Sequence, residues 1–231
     1  MQTLKAIATI HTDFPSKFGI PRQGGLVDAL KATITFEPDY RDASALRGLE
    51  GYSHLWLIWQ FSESVMAGWS PTVKPPRLGG NRRMGVFATR SPFRPNPLGL
   101  TCVRLEGVGL SGTDGPVLHV AGADLMDGTP IFDIKPYIPY ADCHPEATGG
   151  FTDQIHYGRL DVDFPEALLA AVPPDKRRAL IEVLAQDPRP GYRHGESGKR
   201  YGVAFAGFDV RFTVRGGVLR VTEVVPLAER R

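Results

Sequence analysis

Three prolines, Pro92, Pro95 and Pro97, crowd the middle of residues 85–103, GVFATRSPFRPNPLGLTCV. Each fixes its own φ and has no N–H to give to a ladder, so the segment can be neither helix nor central strand. It reads as a stiff, extended loop. The flanking GVFA and LTCVRL read as strands that anchor it at both ends. Arg90, Ser91, Arg94 and Asn96 sit on this loop, and donors on a rigid loop between strands are a common way to build a binding site. A structural crossover with solvated arginines would have the same composition, so the loop alone does not decide between the two.

The strand signal continues on both sides. Residues 4–12 alternate, with Leu4, Ala6, Ala8 and Ile10 on one face. Residues 31–36 are a second candidate, and residues 55–61 form a continuous apolar run that reads as a strand buried on both faces. His54 has no second histidine or carboxylate at ligand spacing and reads as a hydrogen-bonded core histidine. Residues 14–26 are loop, where Gly24-Gly25 lets backbone approach a ligand. Residues 69–80, WSPTVKPPRLGG, are irregular. Arg82, Arg83, Arg90 and Arg94 make a dense basic cluster suited to phosphate or carboxylate. Residues 117–120 and 131–134 are further strands, with a turn at Asp127-Gly128-Thr129-Pro130 between them. Gly107-Val108-Gly109-Leu110-Ser111-Gly112 satisfies GxGxxG, but a turn and a strand follow it. A dinucleotide fingerprint must open a helix, so these glycines read as a hairpin connection.

Strands through residues 2–139 without alternating helices disfavour a doubly wound sheet and favour a barrel. The pattern lapses over residues 142–161, as in a linker. Asp163 with Glu166 then resembles a capping box, with Pro165 suited to the first helical position. A second helix runs from Asp175 to about Gln186, with Leu180, Val183 and Leu184 on one face. Two strands, residues 203–214 and 218–225, are joined by Arg215-Gly216-Gly217. The expected fold is mainly β: an N-terminal β-barrel over residues 1–145 and a small α+β domain over residues 160–231.

At 231 residues the chain can bury more than one core. A formal net charge of +2 permits nucleic-acid binding without arguing for it. Cys102 and Cys143 form no CxxC, which argues against a zinc ribbon or a secreted disulfide framework, and no metal is expected. No apolar run approaches the roughly 20 residues of a membrane span, and the N-terminus lacks a signal-peptide layout. The expected location is cytoplasmic, with no membrane partner.

Residues 84–99, MGVFATRSPFRPNPLG, are similar to the signature of the TsaA/TrmO family, S-adenosylmethionine-dependent methyltransferases that act on tRNA. The DGTP turn at residues 127–130 and the DIKPY at residues 133–137 resemble the same family, as do residues 21–23, 69–83 and 184–190. The resemblance implies a β-barrel methyltransferase domain and a homodimer with the cofactor near the subunit interface. It implies that S-adenosyl-L-methionine is held by Gln23, Gly24, Gly25, Ser62, Glu63, Arg90, Leu100, Asp127, Gly128, Thr129 and Pro130. Its implied reaction is methyl transfer to N6 of N6-threonylcarbamoyladenosine, beside the anticodon of a threonine tRNA. Arg94, Arg189, Arg193, Lys199 and Arg200 are the expected RNA contacts, because clustered cations in loop-rich sequence suit phosphates.

Methyl transfer from a sulfonium needs the acceptor in line with the S–CH₃ bond, and alignment alone is worth roughly 7–11 kcal/mol. Asp127, Asp133 and Tyr137 are possible proton acceptors that the sequence does not rank, so the catalytic base stays open. Two other classes compete. One is a nucleic-acid-binding barrel without catalytic activity. The other is a serine hydrolase, for which Ser53 and Ser91 lack a GxSxG setting.

Overall fold

The computed structural model describes residues 3–64, 69–75, 82–110, 115–154, 158–189 and 198–227. Six strands close an antiparallel barrel: β1 (Ala8–His11), β2 (Lys31–Phe36), β3 (His54–Gln60), β6 (Leu98–Gly109), β7 (Val117–Ala121) and β8 (Thr129–Pro136), in the order β1-β2-β7-β6-β3-β8. A two-stranded ribbon, β4 (Thr72–Val73) with β5 (Met84–Gly85), stands beside it. Period-two alternation drives closure: Ala8, Ile10, Ile34, Leu55, Leu57, Leu118 and Ile131 are all fully buried and fill the barrel. A barrel of this size has a solid interior, so a ligand must sit at a rim.

The registers bring the ends of β1, β3 and β7 and the starts of β2, β6 and β8 to the same rim: Ile10 opposes Thr129, Gln60 opposes Leu98, and Lys31 opposes Ala121. Residues 12–30, 61–97 and 122–128 therefore all leave from one end. The prolines explain why the second of these connections stays out of the sheet.

Three local expectations are corrected. GVFA is not a strand: β5 stops at Gly85, and Val86–Ala88 is a 3₁₀ turn closed by Thr89 N–H to the Val86 carbonyl at 3.1 Å. β3 is not buried on both faces. It alternates, with Leu55, Leu57 and Trp59 inside and Trp56 outside, where the short helix α1 (Pro139–Asp142) covers it through Trp56 Nε1–H to Asp142 Oδ2 at 3.1 Å. The glycines at 107 and 109 lie within β6, which pairs with β7 as a hairpin, while residues 111–114 fall outside the described residues.

The C-terminal sheet runs β10-β11-β12-β9, with β9 (Asp161–Asp163) parallel to β12 (Val218–Pro226) and the rest antiparallel. The expected strand over residues 203–214 is two strands, β10 (Arg200–Phe205) and β11 (Phe208–Arg215), because Ala206 and Gly207 both take positive φ, 48° and 82°. Two such residues in succession suit the tight primed turns of hairpins. The left-handed region costs a residue with a Cβ about 1–2 kcal/mol. Ala206→Gly is expected to stabilise the chain by about 0.5–1 kcal/mol, raising the thermal midpoint by about 1–4 °C; an unchanged or lower midpoint in calorimetry contradicts this.

Helix α2 (Glu166–Leu169) begins with Pro165 as its N-cap and has no side-chain cap, so the expected capping box is absent; Asp163 instead lies 3.5 Å from Arg220. Helix α3 (Pro174–Ala185) buries Leu180, Val183 and Leu184 against the sheet, as the pattern requires.

The two parts of the chain share a core. Phe14, Val27 and Leu30, from the connection between β1 and β2, pack with Phe205, Phe212 and Leu180. Phe14 meets Phe205 edge-on at 5.3 Å. Asp13 accepts a hydrogen bond from Lys176 Nζ at 2.7 Å, and its carbonyl accepts from Ala206 N–H at 2.8 Å. At Gly19, φ is 94° and a Cβ would come within 2.1 Å of Val203, so only glycine lets the chain cross the sheet there.

Candidate active site

A cleft of about 420 Å³ opens at the crowded rim, lined from all three connections. Residues 17–23 form one side and the 3₁₀ turn Ser62–Ser64 the opposite lip. Lys17 ties the two by donating to the Glu63 carbonyl and to Ser64 Oγ. The proline loop supplies Arg90 and Arg94, and the floor is Trp59, Leu98, Leu100, Thr101 and Asp124.

Asp124 carries the electrostatics. It follows β7, and its carboxylate accepts from Thr101 Oγ1 at 2.8 Å. Trp59 Nε1–H donates to the same Thr101 oxygen at 3.0 Å, so a buried indole fixes the hydroxyl that fixes the carboxylate. Trp59 can lie there because its cross-strand partner is Gly99, where a Cβ would fall 2.2 Å from the ring. Burial pushes the Asp124 carboxyl above the usual aspartate range, while Thr101, its own and the Gly24 backbone N–H groups and the charge of Arg90 pull it back. Arg90 donates to Gln23 Oε1, which joins the proline loop to the loop before β2.

Gln23, Ser62, Glu63, Arg90, Leu100 and Thr129 all line the cleft. Gly24 is not a lining residue, but its backbone N–H helps favour the charged form of Asp124. Gly25, whose N–H reaches the Gly122 carbonyl at 2.9 Å, is not a lining residue. Asp127, Gly128 and Pro130 are at the same rim beside the cleft. Asp127 Oδ1 accepts the Thr12 N–H at 3.0 Å and lies 3.5 Å from His11 Nδ1. Thr129 Oγ1 donates to the Met126 carbonyl at 2.7 Å. Asp133 and Tyr137 are not in the cleft: Asp133 pairs with Lys135 at 2.9 Å, and Tyr137 packs on Trp56.

Of the expected RNA contacts, Arg94 lines the cleft and holds the proline loop through Nη1–H to the Thr89 carbonyl at 2.9 Å. Arg189 is corrected. It is only 5% exposed and is locked to Asp187 by bonds of 2.8 Å to both carboxylate oxygens, so it is a buried structural arginine. Its carbonyl accepts from Arg22 at 3.3 Å, another tie between the C-terminal part and the cleft's edge. Arg193 lies outside the described residues. Lys199 and Arg200 are exposed at the start of β10, with Arg200 paired to Glu223.

Sequence reasoning missed Asp124, Thr101 and Trp59. The available signal was Asp124 itself, one carboxylate set into the apolar VLHVAGADLM. Among the described residues, no group of three His, Cys, Asp or Glu could hold a metal ion, and no helix is long and apolar enough to cross a membrane.

A closed barrel that gathers its loops at one rim around a cleft, with a partly buried carboxylate and an arginine in the lining, has the form of a barrel with a rim pocket suited to a small charged ligand. The chain belongs to the TrmO family: the model for the tRNA-methyltransferase O N-terminal domain matches residues 9–143, and that for the TrmO C-terminal domain matches residues 158–227. It is 42% identical over 227 residues to the tRNA (adenine(37)-N6)-methyltransferase of Escherichia coli K12, covering 95% of this chain and 96% of that one. It is 41% identical over 230 residues to a Pseudomonas aeruginosa protein named "Putative S-adenosylmethionine-dependent methyltransferase RcsF", covering 96% and 97%. The crystal structure of TrmO from Pseudomonas aeruginosa superposes with a TM-score of 0.78 at 35% identity, covering 97% of this chain and 98% of that one. The resemblance drawn from the proline loop and the DGTP turn is thereby borne out, as is the mainly β fold with an N-terminal barrel.

Proposed function

We propose that this chain is an S-adenosylmethionine-dependent tRNA methyltransferase acting on N6 of adenine 37. The base it modifies, in this reading, is N6-threonylcarbamoyladenosine beside the anticodon of threonine tRNA. The observation that carries the reading is the rim cleft. Its volume falls in the ligand-pocket range. The partly buried Asp124 suits a cationic group, Arg90 and Lys17 suit a carboxylate, and Leu98, Leu100 and Leu125 offer apolar wall to a purine. Gln23, Gly24, Gly25, Ser62, Glu63, Arg90, Leu100 and Asp127 to Pro130 belong to the proposed cofactor site, with Asp124 added.

S-adenosylmethionine brings a methyl group on a positively charged sulfur, activated for attack. The chain's own work is placement. Asp124, braced by Thr101 and partly buried, would hold a cation there with less screening than in bulk solvent, so the attraction would be stronger. Arg90, braced by Gln23, fixes the opposite charge. A ligand gripped at both charges has little rotational freedom, which is the condition for in-line transfer. Lys199 and Arg200 remain proposed RNA contacts, and a cytoplasmic homodimer, checked by sedimentation of the purified chain, belongs to the same proposal.

Labelled methyl is expected to pass to tRNA bearing threonylcarbamoyladenosine and not to tRNA lacking it, read by mass spectrometry of the nucleosides. Equal labelling of both overturns the stated specificity. Calorimetry showing no S-adenosylmethionine binding returns the chain to the alternative, a nucleic-acid-binding barrel without catalysis.

A further inference from the structure

A second cleft of about 830 Å³ adjoins the first, and Gln23, Thr89, Arg90 and Pro92 line both. The Arg90–Gln23 hydrogen bond is thus part of a thin partition between the two spaces. The chemistry on either side differs. The first cleft has Glu63 and Asp124 in its lining, whereas among the described residues no acidic one lines the second. Its walls instead carry three aromatics, Trp69, Phe93 and Phe151, and three cations, Lys74, Arg83 and Arg90. Trp69 is 51% exposed and Phe93 44%, so flat apolar faces stand open beside positive charge.

The second cleft is also braced. Arg83 Nε–H donates to Thr72 Oγ1 at 2.8 Å across the β4–β5 ribbon, and Ser70 Oγ–H donates to the Thr72 carbonyl at 2.8 Å. Trp69 stacks on Phe87 at 6.1 Å with the planes 26° apart, which holds the indole in place. Open aromatic faces interleaved with arginine and lysine, with no carboxylate among the described lining residues, match single-stranded nucleic acid: bases stack, phosphates meet cations, and acidic groups would repel the backbone.

The geometry points to the second cleft as the seat of the acceptor nucleotides, taking unstacked bases of a single-stranded RNA loop and delivering one to the cofactor at the Gln23–Arg90 partition. The inference rests on the tRNA methyltransferase reading and adds where the acceptor lies. Sequence-specific RNA recognition favours bases splayed from loops, and an enzyme that works on a base must have it out of the stack.

The test uses the full chain, an anticodon stem-loop RNA and S-adenosylmethionine. Trp69→Ala is expected to weaken RNA binding by about tenfold, with Trp69→Phe restoring most of it. Arg83→Ala is expected to lower the slope of log affinity against log salt by about one. In both variants S-adenosylmethionine affinity stays within about twofold of wild type, which also certifies that the barrel is folded. Unchanged RNA affinity and unchanged KM for tRNA in Trp69→Ala and Arg83→Ala overturn the inference while leaving the methyltransferase reading intact. A wild-type chain that binds the RNA through Trp69 yet methylates nothing overturns that reading and leaves the nucleotide seat standing.

Discussion

Asp124→Asn will cut S-adenosylmethionine affinity by about one to two orders of magnitude, because a charged hydrogen-bond partner is worth about 1.5–3 kcal/mol. The substitution keeps the shape and the Thr101 bond and removes only the charge, so cleft geometry should survive. Its pH signature makes the test sharp. Burial, the largest influence, raises the Asp124 carboxyl above its ordinary 3.8. Between that value and the raised one, the native state holds a proton that the unfolded chain has released. Stability of the ligand-free protein therefore falls as pH climbs through this window. A bound cation pulls the carboxyl back down, so binding releases a proton and affinity rises with pH across the same window. In Asp124→Asn both slopes flatten. Calorimetry in buffers of different ionisation enthalpy reads the released proton directly; a wild-type affinity with no proton release removes Asp124 from the cofactor site.

Phe14→Ala will cost about 3–5 kcal/mol of stability, the range for emptying a buried aromatic site. Phe14 is 1% exposed and lies edge-on to Phe205 within the core that joins the β1–β2 connection to the C-terminal sheet. The same connection supplies Ile20 to Gln23 to the cleft, so the loss should reach beyond stability. Urea unfolding is expected to show an earlier midpoint, and calorimetry a weaker cofactor site at temperatures where the variant is still folded. Saturating S-adenosylmethionine should recover part of the stability by mass action. A variant that loses stability but binds cofactor at wild-type strength would show that the loop holds its shape without the C-terminal sheet.

Most strands were legible because burial imposes period two on each one separately: Ala8 and Ile10, or Leu55 and Leu57, announce an inward face without reference to partners. Strand order was not, since nothing in the residues of β2 states that it lies beside β7. Failure at Ala206 had a plain cause: alanine normally avoids positive φ, so VAFAGFDV reads as one continuous strand. Arg189 misled in the opposite way. In sequence it belongs to a basic, loop-rich span, and only the fold reveals that Asp187 has captured it. Arg90 and Gln23 lie on separate connections, and their meeting across the cleft depends on barrel closure, which no local pattern encodes. Asp124 was passed over because a lone aspartate after a strand is usually a turn former.

The aromatic contact between Phe14 and Phe205 also bears on the order of events at the ribosome. Phe14, Val27 and Leu30 precede most of the barrel in sequence, yet they pack with β10, β11 and α3, which follow all of it. The barrel strands can pair without that sheet, and Gln23 with Arg90 and Gly25 with Gly122 tie the loop to the barrel, but the apolar face of Phe14, Val27 and Leu30 stays uncovered until the C-terminal hairpins form. A nascent chain halted before β10 would hold a closed barrel with an unfinished mouth. Closing the barrel and completing the apolar support beneath its mouth are thus separate events in the order of the chain.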